Sequence, residues 1–357
     1  MTEDTAVTAT YQRVRRSAYT DGRASFPDVA TDLGWYDHHE ISGGRVVLER
    51  FGTIPAPQTL HAFIQTAQEI ASAANGAIFG WRGQSRDWPV HSGSIRRVMQ
   101  PWIRRFPSDL QRIDELLRPI LVEAGVGQQS IGKEVARQDD DPMLWWNMRT
   151  YQQYLLNEAR VRGFDHHEGV KLSDLEILAL LQHYGAATHL LDVSRDVMTA
   201  LWFAAQADPG QTGVMTAFDE SGILTLTANQ AAVTSFDDLM HRLTYEERWQ
   251  VAGWVPRSLT PRILAQRGLF VLSGYADQPW GSIATTSTYA WEDDVETKKI
   301  QPSDARAFFI AITPDLKRQV LEAGESGLLG VDPTSLFPDM AGFAAANGSS
   351  EPIPLLP

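Results

Sequence analysis

The sequence predicts an α+β fold in which a large helical block separates the first core strand from the second. Three observations carry this reading. Short apolar pieces of strand type alternate with segments whose apolar residues recur every three or four positions. The helical block, residues 100–162, falls between two of the strand pieces, 77–81 and 188–193. The composition, 43% hydrophobic and 21% charged over 357 residues, is that of a folded protein with a sizeable core. No solenoid repeat and no long polar linker divides the chain, so its length implies one elaborated domain rather than two.

Residues 1–24 lack sustained periodicity and read as a polar arm. Residues 45–51 (RVVLERF) follow a Ser42-Gly43-Gly44 turn signal and read as a strand. Residues 59–74 set Leu60, Phe63, Ile64, Ala67, Ile70 and Ala71 at helical spacing, and Asn75-Gly76 stops that helix. The short buried strand 77–81 (AIFGW) then ends at Arg82-Gly83. Within the helical block, 109–122 and 143–161 are amphipathic, the second rich in Trp145, Trp146, Tyr151 and Tyr154. A helix over 173–184 opens on Ser-Asp-Leu-Glu, where Ser173 and Glu176 form a capping box, and closes at Gly185. Strand 188–193, helix 197–207 and strand 213–218 follow, then strands 223–227, 262–272 and 307–312 and a helix over 314–323. The domain map has residues 1–56 as an arm with short strands packed on the core. Residues 57–347 are the domain itself, with a helical insertion over about 100–170, and residues 348–357 are a flexible tail.

The chemistry is bounded by what the chain lacks. With no cysteine, thiolate nucleophiles, disulfides and cysteine-bound metals are excluded. The net charge of −13 disfavours broad electrostatic binding to nucleic acid, although Arg96, Arg97, Arg104, Arg105 and Arg112 could form a local basic groove. The first residues hold no apolar block of signal-peptide type, and no apolar run approaches the ~18 residues of a membrane span. A cytoplasmic protein with no membrane partner is expected. The sequence DHHE occurs twice, at 37–40 and 165–168, but adjacent histidines diverge on a strand and on a helix alike, so surface loops are expected there and no metal. HExxH, a phosphate-binding P-loop, GxGxxG and GxSxG are all missing. A hydrolase triad of His183, Asp192 and Ser194 has only the three residue types in its favour.

More specific are the ordered blocks Trp81-Arg82-Gly83-Gln84, Gln182-His183-Tyr184-Gly185, Thr188-His189-Leu190-Leu191-Asp192-Val193-Ser194 and Ala200-Leu201-Trp202-Phe203-Ala204. With Pro261-Arg262-Ile263, the run 265–270 and Leu336-Phe337-Pro338-Asp339, they resemble the FRG domain family, named for its aromatic-Arg-Gly motif, over about residues 57–347. Trp81 stands where that family usually has Phe or Tyr, and Ala186-Ala187 where a small residue and Pro are common. The order of elements is also similar to that of ADP-ribosyltransferases of the Arg, Ser, Glu type. That resemblance implies a split, mixed β-core and a role for NAD as substrate, with no metal.

On the same resemblance Arg82, Ser194 and Gln266 would be the catalytic positions. Arg82, Gln84, Gln182, His183, Tyr184 and Asp192 would hold NAD or a related nucleotide. The implied activity is ADP-ribosyl transfer to a macromolecular acceptor, protein or nucleic acid, or NAD hydrolysis, as in a toxin or antiviral effector. A non-catalytic nucleotide-binding or protein-interaction module on the same fold is the alternative. Gln266 stands where a transferase has Glu, and an amide offers no negative charge to an oxocarbenium ion. Asp192, or Glu292, Asp293, Asp294 and Glu296, would have to supply it. The structural alternative also stays open: Arg82 pairing with Asp192, and Gln182 and His183 closing a helix end. Trp202 and Phe203 are expected in the core.

Overall fold

The computed structural model describes residues 39–41, 44–48, 50–98, 142–245, 250–257, 260–278, 280–287 and 305–342. It begins with an antiparallel sheet of β1 (His39–Ile41), β2 (Arg45–Leu48) and β3 (Gly52–Pro55). Helix α1 (Leu60–Ala73), whose N-cap Thr59 accepts the Ala62 N–H, leads into β4 (Ile78–Gln84). Next come α2 (Gly93–Val98), α3 (Pro142–Val161), the hairpin β5 (His166–His167) and β6 (Val170–Lys171), α4 (Asp174–His183), β7 (Leu191–Ser194), α5 (Val197–Ala205) and β8 (Gly213–Asp219). The remainder is β9 (Leu224–Leu226), α6 (Ala228–Val233), α7 (Phe236–Tyr245), β10 (Val251–Trp254), α8 (Pro261–Ala265) and β11 (Gly268–Ser273). The hairpin β12 (Tyr275–Gln278) and β13 (Gly281–Ile283) follows, then β14 (Thr286–Ser287), β15 (Arg306–Ile312), α9 (Pro314–Glu325) and α10 (Pro333–Leu336).

An eight-stranded mixed sheet, in the order β14-β15-β8-β4-β7-β11-β10-β9, organises the molecule. Its interior pairs are antiparallel and its two outer pairs, β14 with β15 and β9 with β10, are parallel. One face packs on the N-terminal sheet and the β12–β13 hairpin through Phe51, Ile54, Trp280 and Phe309. The other face carries two separate helical layers. Helices α1, α5 and α9 cover one half around Phe63, Leu201 and Leu316, and α3, α4 and α7 cover the other around Leu178, Phe236 and Trp254. Between these layers, β4 and β7 are registered at a single pair, Trp81 with Ser194. The sheet is thus weakly closed at its centre.

Most expected elements form close to their predicted bounds, including the Ser173–Glu176 capping box of α4. Three need correction. The strand at 77–81 does not end at Arg82: β4 continues to Gln84 because its pairing with β8 runs on to Gln84 and Val214. The segment 262–272 is not one strand. Thr260 caps α8 with Pro261 in its first turn, Arg267 turns with a φ of 46°, and only Gly268–Ser273 is extended. Within 45–51 the strand stops at Leu48, and a turn gives the β2–β3 hairpin. The arm 1–24, the helix at 109–122, Arg104, Arg105 and Arg112, the acidic residues 292–296 and the tail 348–357 lie outside the described residues. Lys317 on α9 is fully buried, and its ammonium donates to the carbonyls of Ser85, Ala207 and Asp208 at 2.5, 3.0 and 3.0 Å. That contact ties α9 to the end of β4 and to the loop after α5.

Gly83 explains the glycine of the aromatic-Arg-Gly motif. A Cβ there would stand 1.9 Å from the Ala200 carbonyl oxygen and 2.7 Å from the Ala204 nitrogen, so strand and helix touch backbone to backbone. Overpacking of this kind typically costs about 1–3 kcal/mol, and backbone atoms on both sides leave little room to relax. Gly83→Ala is therefore expected to lower the urea midpoint by at least that equivalent. A variant as stable as the parent would show that α5 does not sit where described.

Candidate functional site

Arg82 stands where β4 and β7 part. Its Nη1 donates to the Asp192 carbonyl at 2.9 Å and its Nε to Gln84 Oε1 at 3.4 Å. Gln84 is in turn anchored by donating to the Trp88 carbonyl at 2.7 Å. These bonds aim the guanidinium across the gap without neutralising it, since neither acceptor is a carboxylate. Two cavities meet at this point and share Arg82, Gln182 and Asp192 in their walls.

The larger cavity, about 560 Å³, is bounded by α2 and by the loop after α4. Arg82, Arg96 and Arg97 make it basic, and His91 also lines it. Burial pushes the His91 imidazole down to about 3, with Arg50 and Arg96 adding to the shift, so it is neutral at physiological pH. Its Nδ1 accepts the Ser282 backbone N–H at 3.1 Å, which leaves the proton on Nε2, a donor. The loop bearing α2 is pinned by buried His189, whose Nδ1 lies 3.1 Å from Ser92 Oγ and whose Nε2 donates to the Ser273 carbonyl at 2.8 Å.

The second cavity, about 320 Å³, lies among α4, α5 and α8. Trp81, Phe203, Phe270 and Phe337 give it apolar walls, and Ser194, His183, Arg262 and Gln266 polar ones. The Arg262 guanidinium lies over the Phe337 ring at 4.9 Å. Both volumes fall within the range of small-molecule sites.

Among the described residues, Asp192 is the one carboxylate shared by the two cavities. It reaches solvent through the opening yet sits low in the cleft, and this enclosure pushes its carboxyl above the ordinary value. Arg82 beside it, and then the Gln182 side chain, pull the other way without cancelling the rise. Burial likewise pulls Arg82 below its ordinary value, which leaves a guanidinium charged at neutral pH.

A family model, that of the FRG domain, matches residues 77–212. The chain carries an FRG domain. The match runs from the start of β4 to the residue before β8, so the FRG domain supplies Arg82, the end of α4 and all of β7. It stops short of the resembling segments around Gln266 and Asp339. Comparison with curated proteins and with solved structures gives no match.

The fold brings Arg82, Ser194 and Gln266, which are far apart in sequence, to the wall of one cavity, together with Gln182, His183 and Asp192. Gln84 lines neither cavity and acts on Arg82 instead, and Tyr184 is 77% exposed beyond the rim. Gln266 is not on the late strand: it ends α8, and its amide donates to the Leu336 carbonyl at 3.1 Å. Ser194 is similarly engaged, donating to the Gln266 carbonyl at 2.7 Å and accepting the Asp196 N–H at 2.9 Å. Trp202 is buried as expected, whereas Phe203 is partly buried and faces the cavity. Side chains of the DHHE at 37–40 lie outside the described residues; the repeat at 165–168 forms the β5 hairpin, with His166 on Asp165 at 3.1 Å. Among the described residues no group of three His, Asp or Glu converges as metal ligands would, and no helix is long and apolar enough to cross a membrane. His91 had no signal in the sequence, because its partner Ser282 is remote; Arg96 and Arg97 were visible only as part of a basic run.

The bonds of Ser194 give a stability prediction. Ser194→Ala removes the donor to Gln266 and leaves the Asp196 N–H without its acceptor, which should cost about 1–3 kcal/mol in urea unfolding. An unchanged unfolding free energy would mean that the hydroxyl is not committed to the scaffold.

Proposed function

We propose that the cleft binds a pyrophosphate-bearing nucleotide, with NAD as substrate, and that the protein acts as an ADP-ribosyltransferase-like or NAD-hydrolysing enzyme. The observation that carries this reading is the un-neutralised Arg82 in the wall common to a basic cavity and an aromatic one. NAD has two charges on its pyrophosphate to place and a planar ring at either end. Arg82 and Arg96 offer forked donors to phosphate oxygens, and the aromatic cavity offers flat apolar surface to a ring. Cleaving the nicotinamide glycosidic bond develops positive charge on the ribose. With Gln266 neutral and tied to Leu336, Asp192 is the carboxylate placed to face that charge. Such an activity, depleting NAD or modifying a macromolecule, would suit a toxin or antiviral effector.

A second reading has a specific observation in its favour: the side chains of Ser194 and Gln266 are both engaged by the scaffold. This would suit a non-catalytic nucleotide-binding module. The two readings separate in one assay, nicotinamide release from NAD with and without protein and nucleic-acid acceptors. The enzyme reading expects release by the parent protein, loss of binding and turnover in Arg82→Ala, and a fall of about 10²–10³ in kcat with little change in KM for Asp192→Asn. Because the Asp192 carboxyl titrates above its ordinary value and must be ionised to act, the rate falls as pH drops through that raised value, sooner than an ordinary carboxylate would cause. The same shift means the native state binds the extra proton, so stability falls as pH rises between the unfolded and folded values. Asp192→Asn should therefore unfold no earlier than the parent at neutral pH. Binding without nicotinamide release would favour the non-catalytic module.

A further inference from the structure

We propose that His183 accepts the proton of the group attacking the ribosyl carbon and that Asp339 is its positioning residue, an inference resting on the NAD reading above. His183 is the last residue of α4, its side chain is 11% exposed, and it lines the aromatic cavity near Ser194 and Gln266. Its Nε2 lies 3.8 Å from Asp339 Oδ2. The two oxygens of Asp339 differ. Oδ1 is saturated by Arg262 Nη2 and the Gly342 N–H, each at 2.8 Å, whereas Oδ2 is buried with no hydrogen-bond partner. A buried carboxylate oxygen left in this way is costly unless a donor comes to it. His183 Nε2 lies on that side, and once the imidazole is protonated both ring nitrogens carry a proton, so a donor then faces Oδ2 whichever tautomer the neutral ring has.

The surroundings suit a base that starts neutral. Burial and the nearby Arg262 pull the His183 imidazole below its ordinary value, with Asp339 opposing them. Arg262 and burial-independent hydrogen bonds hold Asp339 ionised, so its charge is present when the imidazolium forms. Tyr184 packs edge-on against the ring at 5.0 Å, and Arg82 and Asp192 line the same cavity. In the reaction the bond from the ribosyl carbon to the nicotinamide nitrogen breaks, and its electron pair leaves with neutral nicotinamide. A new bond forms from that carbon to the oxygen of water or of an acceptor hydroxyl. The proton of that oxygen passes to His183, the resulting imidazolium closes on Asp339 Oδ2, and the proton then returns to solvent.

The test uses the full-length protein, following nicotinamide release against pH and the His183 ring titration by NMR. His183→Gln should lower kcat by about 10²–10⁴-fold with KM for NAD within about threefold, and leave an acid limb that reports Asp192 alone. Free imidazole should restore part of the rate to His183→Ala. Asp339→Asn removes the charge that raises the imidazole pKa, so it should move both the His183 titration and its acid limb to lower pH. Nicotinamide release by the parent that is unchanged in His183→Gln would overturn the proposal and leave the NAD reading intact. No release by the parent would remove the NAD reading, and the catalytic role of His183 with it. An imidazole titration unmoved in Asp339→Asn would refute the pairing whatever the activity.

Discussion

Strand β4 and helix α5 meet at Gly83 with no space for a methyl group, and much of the architecture follows from that contact. The helix lies so close to the strand that its backbone fixes the height of the whole α1–α5–α9 layer over the sheet. Gly213 at the start of β8 repeats the constraint, since a Cβ there would come within 2.6 Å of the Gln84 carbonyl and 2.9 Å of that of Ala204. With α5 held down on β4 and β8, and α7 and α8 packed on β11, a gap remains above the junction of β4 and β7. The cleft is that gap.

Arg82 is positioned by the same contact. Its neighbour Gly83 is locked under α5, and Gln84 is anchored on Trp88, so the guanidinium has one direction left, toward Asp192. It binds the backbone of that residue rather than its carboxylate. A guanidinium and a carboxylate side by side, neither consumed by the other, form a poor device for stability, because each is partly removed from water without full compensation. They form a good one for a ligand that carries both phosphate and a developing cation. The shifts at Arg82 and Asp192 go in the direction that this cost requires.

Local signals in the sequence were sufficient for elements whose determinants are adjacent in the chain. The Ser173 capping box, the apolar spacing of α1 and its Asn75-Gly76 stop put helices at the right places. The segment at 262–272 misled because Ile263 and Leu264 sit close to the genuinely extended Leu269-Phe270-Val271-Leu272. The helix start at Thr260-Pro261 and the left-handed turn at Arg267 decide the outcome. In the cleft, the FRG-like motifs named Arg82, Gln182, His183, Asp192 and Ser194, which do converge. What could not be seen were bonds between remote positions: Ser282 setting the tautomer of His91, Asp339 against His183, Lys317 closing on Ser85 and Asp208, and Ser194 and Gln266 holding each other. Each depends on two segments whose proximity only the fold establishes.

The central claim is that the divergence of β4 and β7 is a nucleotide site built around Arg82. A crystal structure of the protein soaked with ADP-ribose tests it most directly. The account predicts the pyrophosphate within hydrogen-bonding distance of Arg82 and Arg96, with the ligand entering both cavities and displaced when Arg82 is changed to Ala. ADP-ribose bound on another surface, or a cleft still empty at saturating ligand, would contradict it.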